Sequence, residues 1–264
     1  MGNLYDANGR TLFEFKPHNL TVMCFNVQFW SGLNADRNLI RRIVDTYSPD
    51  IIMLQECRNF AADIYTAVFE DYPYHYLASE IDNPVAIFTK YELRNTSTVL
   101  FATQATGGEV RGYAKAYVMV NHQNICLLNT HLEVGDGDGT TARQAQAAEL
   151  LNAMKAERYV ICAGDFNVAD CHGKASDEYI ANIKPFIDEG YHSANCSDQH
   201  GFLATYYNGT SVNNYNICEC IDEIITTSNI DINMVTVDKQ KSDANTDGLA
   251  LDHLPIIAHC RVNG

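Results

Sequence analysis

The sequence predicts an α/β fold in which two β-sheets face each other and helices cover the outside, and three observations carry that prediction. Strand-like runs outnumber helical ones. Some strands follow each other directly, as hairpins do, whereas others are separated by an amphipathic helix. No Pro- or Ser-rich linker and no internal repeat interrupts the 264 residues, so residues 1–264 are expected to form a single domain. A chain of this length buries roughly 75% of its unfolded surface, which implies a sizeable core.

In order, LTVMCFNV at 20 to 27 is a strand of mixed apolar character. A helix from about Asp36 to Tyr47 follows, because Leu39, Ile40, Ile43, Val44 and Tyr47 recur at helical spacing and Ser48-Pro49 stops it. DIIMLQE is the next strand and FAADIYTAVFE a helix; YHYLAS, VAIFTK, TSTVLFAT, GYAKAYVMV and ICLLNTHL read as strands. A long helix is expected to start near Thr141, where Thr141 and Gln144 have capping-box spacing and Ala147, Leu150, Leu151 and Met154 give a buried stripe. YVICAGDFN, a helix near 177 to 189, and the strands CIDEIITTS, INMVTVD and PIIAHCRV complete the chain.

Polar residues stand where these apolar strands end. Asp165 and Asn167 in GDFN lie two apart, so an extended backbone would point both to one side; alone, such a pair serves a turn as well as it serves a site. Asn26 ends VMCFN, Glu56 ends DIIMLQE, His131 ends ICLLNTH, Asp222 sits in CIDEIITT, and Asp252-His253 precede LPIIAH. Glu56 and Asp252 supply hard oxygen ligands of the kind that hold Mg²⁺. His131 and His253 can carry protons near neutral pH, with Asp222 and Asp82 available to orient them, and Asn26 and Asn167 add neutral donors. There is no Gly-rich phosphate loop, no G-x-S-x-G elbow and no Cys-His pattern pointing to a covalent nucleophile. Metal-assisted attack of water on a phosphoester uses the whole inventory.

Composition narrows the partners. A net charge of -15 excludes a broad basic surface that binds nucleic acid by counterion release, while leaving room for a local basic groove. No apolar run reaches the length of a membrane span, and Asp6 stands where a myristoylation motif needs Ser or Thr. Cys24, Cys57, Cys126, Cys162 and Cys260 lie inside apolar strands and are expected to be reduced and buried, which favours a soluble, cytoplasmic protein; a secreted one would have lost its signal. Cys218 and Cys220 form a C-x-C and Cys171 precedes His172, but neither has paired zinc spacing, so no structural zinc is expected.

Six motifs, CFNVQ at 24 to 28, LQE at 54 to 56, NTHLE at 129 to 133, GDFN at 164 to 167, IDEII at 221 to 225 and LDHLP at 251 to 255, occur in the order found in the endonuclease/exonuclease/phosphatase family, which this chain resembles from residue 24 to 260. That resemblance implies a four-layered, deoxyribonuclease I-like α/β sandwich with a site where the two sheets open at one end. It implies Glu56 as principal Mg²⁺ ligand, Asn26 nearby and Asp252 as a second ligand, with Mn²⁺ as a substitute ion. Asp165 and Asn167 would orient the attacking water and the phosphate, Asp222 would hold His253, and His131 would contact the phosphate or protonate the leaving oxygen. The general base is either the His253-Asp222 pair or Asp165. Asp82 matches an acidic partner for His131, and Arg111 is either a phosphate contact or an ordinary exposed edge charge.

The implied activity is hydrolysis of a phosphodiester by a monomer, with nucleic acid slightly favoured as substrate and a phospholipid headgroup or small phosphorylated molecule as the alternative. A catalytically inactive binding module is the reading from another class. Leu251 replaces the Ser common before the Asp-His pair, and Glu223 stands where inositol phosphatases carry Arg. EVGDGDGTT lacks a glycine and a closing Glu at EF-hand spacing and reads as a flexible loop beside the site. The loops around 28 to 36, 103 to 111, 133 to 141 and 192 to 216 carry no readable motif, although Trp30, Tyr206 and Tyr207 could stack on a base or sugar.

Overall fold

The computed structural model builds the chain around two parallel strand pairs, one in each of two six-stranded sheets. It describes residues 4–5, 11–13, 17–28, 34–58, 68–168, 176–197, 199–208, 216–238 and 251–263. Short strands β1 (Leu4–Tyr5) and β2 (Thr11–Phe13) pair with each other ahead of β3 (His18–Asn26), helix α1 (Asn34–Tyr47) and β4 (Ile51–Gln55). Next come β5 (Tyr74–Leu77), β6 (Ala86–Thr89), β7 (Arg94–Leu100), β8 (Gly112–Val120) and β9 (Gln123–His131). Helix α2 (Asp138–Lys155) leads to β10 (Val160–Asp165), and a π-helical segment, Tyr179–Ile183, runs into α3 (Lys184–Asp188). The last strands are β11 (His192–Ser193), β12 (Tyr206–Asn208), β13 (Asn216–Glu219), β14 (Asp222–Thr226), β15 (Ile230–Val237) and β16 (Ile256–Val262).

One sheet has the order β15-β16-β3-β4-β6-β5, the other β11-β14-β10-β9-β8-β7. Within them only β3 with β4 and β9 with β10 run parallel, and each of those connections carries a helix, as a parallel crossover requires. The central strands are buried on both faces, which explains their continuous apolar runs. Leu20, Val22, Cys24, Ile51, Met53, Ile125, Leu127, Ile161, Ala163 and Ile224 fill the space between the sheets. The alternate residues Met23, Phe25, Ile52 and Leu54 pack under Leu39, Ile40, Ile43 and Val44 of α1. Cys126, Leu128, Val160 and Cys162 pack under Ala147, Leu150 and Met154 of α2. The layers are therefore helix, sheet, sheet, helix, as expected.

A polar contact crosses the inter-sheet core. Gln55 Nε2 donates to Asn129 Oδ1 at 2.7 Å, and Asn129 Nδ2 donates to the carbonyls of Leu54 at 2.9 Å and Ala86 at 2.8 Å. Both side chains are fully buried, so these bonds are the means by which two amides are tolerated there.

Some elements depart from the sequence expectation. Helix α2 starts three residues earlier than Thr141, at Asp138, with Gly137 as N-cap and no side-chain cap. Thr141 lies inside the first turn and its hydroxyl donates to the Gly137 carbonyl at 3.3 Å, so the capping-box spacing was coincidental. The first turn of α2 therefore occupies the end of the stretch read as a loop, EVGDGDGTT. The helix expected over FAADIYTAVFE falls mostly outside the described residues, as do Trp30, Cys171 and His172 and the side chains of Tyr207 and Cys218. Cys24, Cys57, Cys126, Cys162 and Cys260 are buried thiols, as expected. Among the described residues no helix is long and apolar enough to cross a membrane.

Candidate active site

The inward-facing residues of the central strands follow a period of two, and the site is that period continued past the apolar run. After Cys24 comes Asn26; after Leu127 and Asn129 comes His131; after Ala163 comes Asp165; before Ile224 comes Asp222. Because β3, β9 and β10 end at the edge where the antiparallel β14 begins, all four side chains reach the same end of the inter-sheet space. The Asp252-His253 segment leads into β16, antiparallel to β3, and arrives there too. Glu56 is out of phase, directly after inward-facing Gln55. Its φ of 60° turns the chain, and its carboxylate accepts from Asn26 Nδ2 at 3.1 Å.

Asp165 is the junction. Its Oδ2 accepts from Asn26 Nδ2 at 3.0 Å and lies 3.4 Å from His131 Nε2 and 3.6 Å from His253 Nε2. Its Oδ1 accepts the Asn167 N–H at 2.9 Å. The strand has ended by then: Asn167 has φ 49°, and its Nδ2 donates to the Leu132 carbonyl at 2.9 Å. The extended-backbone argument therefore fails for this pair, and Asp165 serves turn and site at once, one oxygen to each. His253 Nδ1 bonds Asp222 Oδ2 at 2.8 Å, and its ring meets that of Tyr206 in a T-shaped contact, 5.0 Å between centroids.

Burial sets the protonation pattern. It pushes the Asp165 carboxyl up, with Asp222 adding to the shift while His253, Asn26 and the Asn167 N–H oppose it. Glu56 is also raised by burial, against the pull of Asn26 and His253. Burial holds His131 well below the usual imidazole range, reinforced by the positive charges of Arg111 and His253, so its approach to Asp165 is a polar contact with a neutral ring. Burial would lower His253 as well, but Asp222 and Asp165 outweigh it and push it up to about 10.

These groups open onto a cleft of about 850 Å³, lined also by Gln28, Arg58, Asp82, Glu109, Arg111, Glu133, Val134, Arg143, Glu178 and Glu219. The role expected for Asp82 is corrected here, and of the two readings of Arg111 one is removed. The Asp82 carboxylate accepts the Val110 N–H at 2.7 Å rather than bonding His131, whose Nδ1 has no partner among the described residues. Arg111 is not an edge charge: it is 3% exposed, with Nη2 3.2 Å from Glu109 and Nε 3.8 Å from Glu133. Sequence reasoning missed Gln28, whose Nε2 donates to Asp252 Oδ2 at 3.1 Å, although it shares Asn26's two-residue period. It also missed Arg143, which takes Glu178 at 2.9 Å and the Glu133 carbonyl at 2.9 Å; the signal was an arginine on the apolar stripe of α2.

Buried polar atoms without a hydrogen-bond partner among the described residues gather on the cleft-lining residues, Arg111 Nε and Nη1, His131 Nδ1, Glu133 Oε2 and Asp252 Oδ1, with Asp222 Oδ1 behind them. Such concentration marks a place where a ligand completes the bonding. Asp165, Asp222 and His253 approach closely enough to share an ion, although His253 Nδ1 is already engaged by Asp222. Glu56 and Asp252 also line the cleft and offer carboxylate oxygens of the kind a hard cation takes.

The profile of the Endonuclease/Exonuclease/phosphatase family matches residues 23–234. No curated protein matches the sequence. Among solved structures, D. rerio TDP2 complexed with single strand DNA product is 18% identical with a TM-score of 0.71, covering 92% of this chain and 98% of that one. The endonuclease/exonuclease/phosphatase from Bacteroides vulgatus is 19% identical with a TM-score of 0.72, covering 93% and 100%. The beta toxin of Staphylococcus aureus is 19% identical with a TM-score of 0.70, covering 90% and 99%. These likenesses establish the deoxyribonuclease I-like fold.

Proposed function

Because the chain belongs to the endonuclease/exonuclease/phosphatase family, we propose that it is a divalent-metal-dependent hydrolase that cleaves a phosphodiester by direct attack of water. The observation that carries this reading is the convergence of Asn26, His131 and His253 on one oxygen of Asp165. Glu56 and Asp252 are the residues that would hold Mg²⁺ or Mn²⁺; when bound, the ion would offset negative charge on the phosphoryl oxygens. Asn26, with Nδ2 on Glu56 and Asp165 and Oδ1 receiving the Gln28 N–H at 3.2 Å, orients Glu56 rather than reaching the cleft itself.

Asp165, raised by burial, is suited to take the proton of the attacking water near neutral pH, which favours it over the His253-Asp222 pair as general base. His253, protonated and held by Asp222, donates to the phosphoryl oxygen. Neutral His131 and the Asn167 amide add donors without charge, and Arg111, ion-paired with Glu109 and Glu133, keeps two nitrogens without a hydrogen bond beside the cleft. Asp82 acts indirectly, by holding the Val110 N–H beside Arg111.

For the substrate, a nucleic acid is the reading the family resemblance favours, and a small phosphodiester or phospholipid headgroup is the reading the cleft favours. Its walls carry Glu56, Asp82, Glu109, Glu133, Asp136, Asp165, Glu178, Glu219 and Asp252 against Arg58, Arg111 and Arg143. Each of those arginines already faces a carboxylate: Glu109 for Arg58, Glu109 and Glu133 for Arg111, and Glu178 for Arg143. A long polyanion would meet repulsion along such walls, whereas one phosphoryl group would not.

The test is Mg²⁺-dependent nicking of supercoiled plasmid at low salt, run beside hydrolysis of bis(p-nitrophenyl) phosphate, with His253→Ala purified in parallel. Wild-type turnover of either substrate, lost by about a hundredfold or more in the variant, is expected. Cleavage of the small ester alone would select the second substrate reading. Silence on both, with Mg²⁺ binding retained in calorimetry, would replace the enzyme with a binding module.

A further inference from the structure

Behind the site, on the outer face of the β14 sheet, two cysteines that play no part in the proposed chemistry meet. Cys196 Sγ lies 3.5 Å from Cys220 Sγ, and both are buried, at 0% and 2% exposure. We propose that Cys196 and Cys220 are a cross-linking pair that closes to a disulfide when the chain folds in an oxidising medium.

Three features support the pairing. The sulfurs are in contact while their backbones belong to different segments, 24 residues apart in sequence. Both segments are fixed by other bonds, so the contact does not depend on one loose loop. The Cys196 N–H donates to Ser193 Oγ at 3.0 Å and to Glu223 Oε1 at 3.0 Å. Cys220 is followed by Ile221 and Asp222, whose N–H groups donate to Thr205 Oγ1 at 3.3 and 3.1 Å. Finally, Asn195 bridges the two, Nδ2 donating to the Asp222 carbonyl at 3.0 Å and Oδ1 accepting the Leu203 N–H at 2.6 Å. A bond between the sulfurs would therefore brace the segment that presents Asp222 to His253.

The oxidant is a low-molecular-weight disulfide such as oxidised glutathione. One cysteine thiolate attacks it, releasing one small thiol and leaving a mixed disulfide; the second thiolate displaces the second small thiol. The donor's S–S bond breaks, the Cys196–Cys220 bond forms, and the pair loses two electrons to the donor. The two protein protons end on the released thiols. Because both sulfurs are buried in the folded protein, the exchange takes place while the chain is still open, and folding then shields the bond from reduction.

The experiment refolds the full chain in mixtures of reduced and oxidised glutathione, alkylates remaining thiols, and maps non-reduced peptides by mass spectrometry. The expected result is one linked peptide pair joining Cys196 to Cys220. It should vanish in Cys196→Ser and in Cys220→Ser, and the linked protein should melt roughly 5 to 10 °C above the reduced one. Alkylation of both residues under oxidising conditions, or linkage of either to a different cysteine, would overturn the proposal. So would one equivalent of zinc bound by wild type and lost in Cys196→Ser, since the pair would then be a thiolate metal site.

Discussion

Asp165 shows how one carboxylate is made to serve several partners. Its two oxygens are divided between a turn and a cluster, and residues around it are held in backbone conformations that L side chains rarely adopt. Gln28, Glu56 and Asn167 have φ values of 44°, 60° and 49°. Only Asn takes that region with ease, so the Gln and Glu positions store strain of about 1 to 3 kcal/mol each, maintained by the rigid strands they terminate. The identity of the clustered residues was legible because polar side chains at strand ends stand out against apolar runs. Their partners were not, because a hydrogen bond such as that of Asp82 to the Val110 N–H depends on loop geometry that leaves no periodic trace. The protonation of His253 gives a test at this scale. Its folded-state pKa lies above the ordinary imidazole value, so its stabilisation is complete below about pH 6.5 and is lost as the pH rises through about 10. In metal-free buffer the melting temperature of wild type should exceed that of His253→Gln by the widest margin near pH 6, and the margin should shrink steadily as the pH rises toward and through 10. A margin independent of pH would mean that the Asp222 contact does not bind an extra proton.

At the scale of elements, the two parallel pairs do the positioning. The helix and strand assignments that succeeded rested on long periodic segments, as for α1 and the strands flanking it. Those that failed were short or local: β11 and the β12-β13 hairpin gave no sequence signal, and α2 began at a glycine where a Thr-Gln pair had suggested a cap. Gly164 was likewise read within a catalytic motif, yet its own contribution is packing. A Cβ there would stand 2.2 Å from the Thr130 carbonyl oxygen, on the neighbouring strand of the parallel pair. Gly164→Ala should therefore push β10 from β9 and cost ~3 kcal/mol in urea unfolding. Because Asp165 and His131 are paired in register one step further along, hydrolytic activity should fall together with stability. A fully stable Gly164→Ala protein would show that the strands separate without strain.

For the whole molecule, charge and layer packing pull in different directions. The net charge of -15 was visible from composition, but its share on the cleft was not, since that depends on which loops meet there. The layer order was legible because both faces of the central strands are apolar. What an apolar interface does not specify is how far one sheet has slid along the other: each step of two residues presents an equivalent greasy surface. The Gln55-Asn129 bond removes that degeneracy. It acts as an index mark, meeting its partner in one alignment of the sheets and stranding two buried amides in the rest. Gln55→Leu should cost about 1 to 3 kcal/mol of unfolding free energy, measured by denaturant titration, by orphaning Asn129 Oδ1. The larger consequence is metrical. Glu56 and His131 lie one and two residues beyond the mark on opposite sheets, so a contact that never touches a substrate sets the gauge of the opening that does.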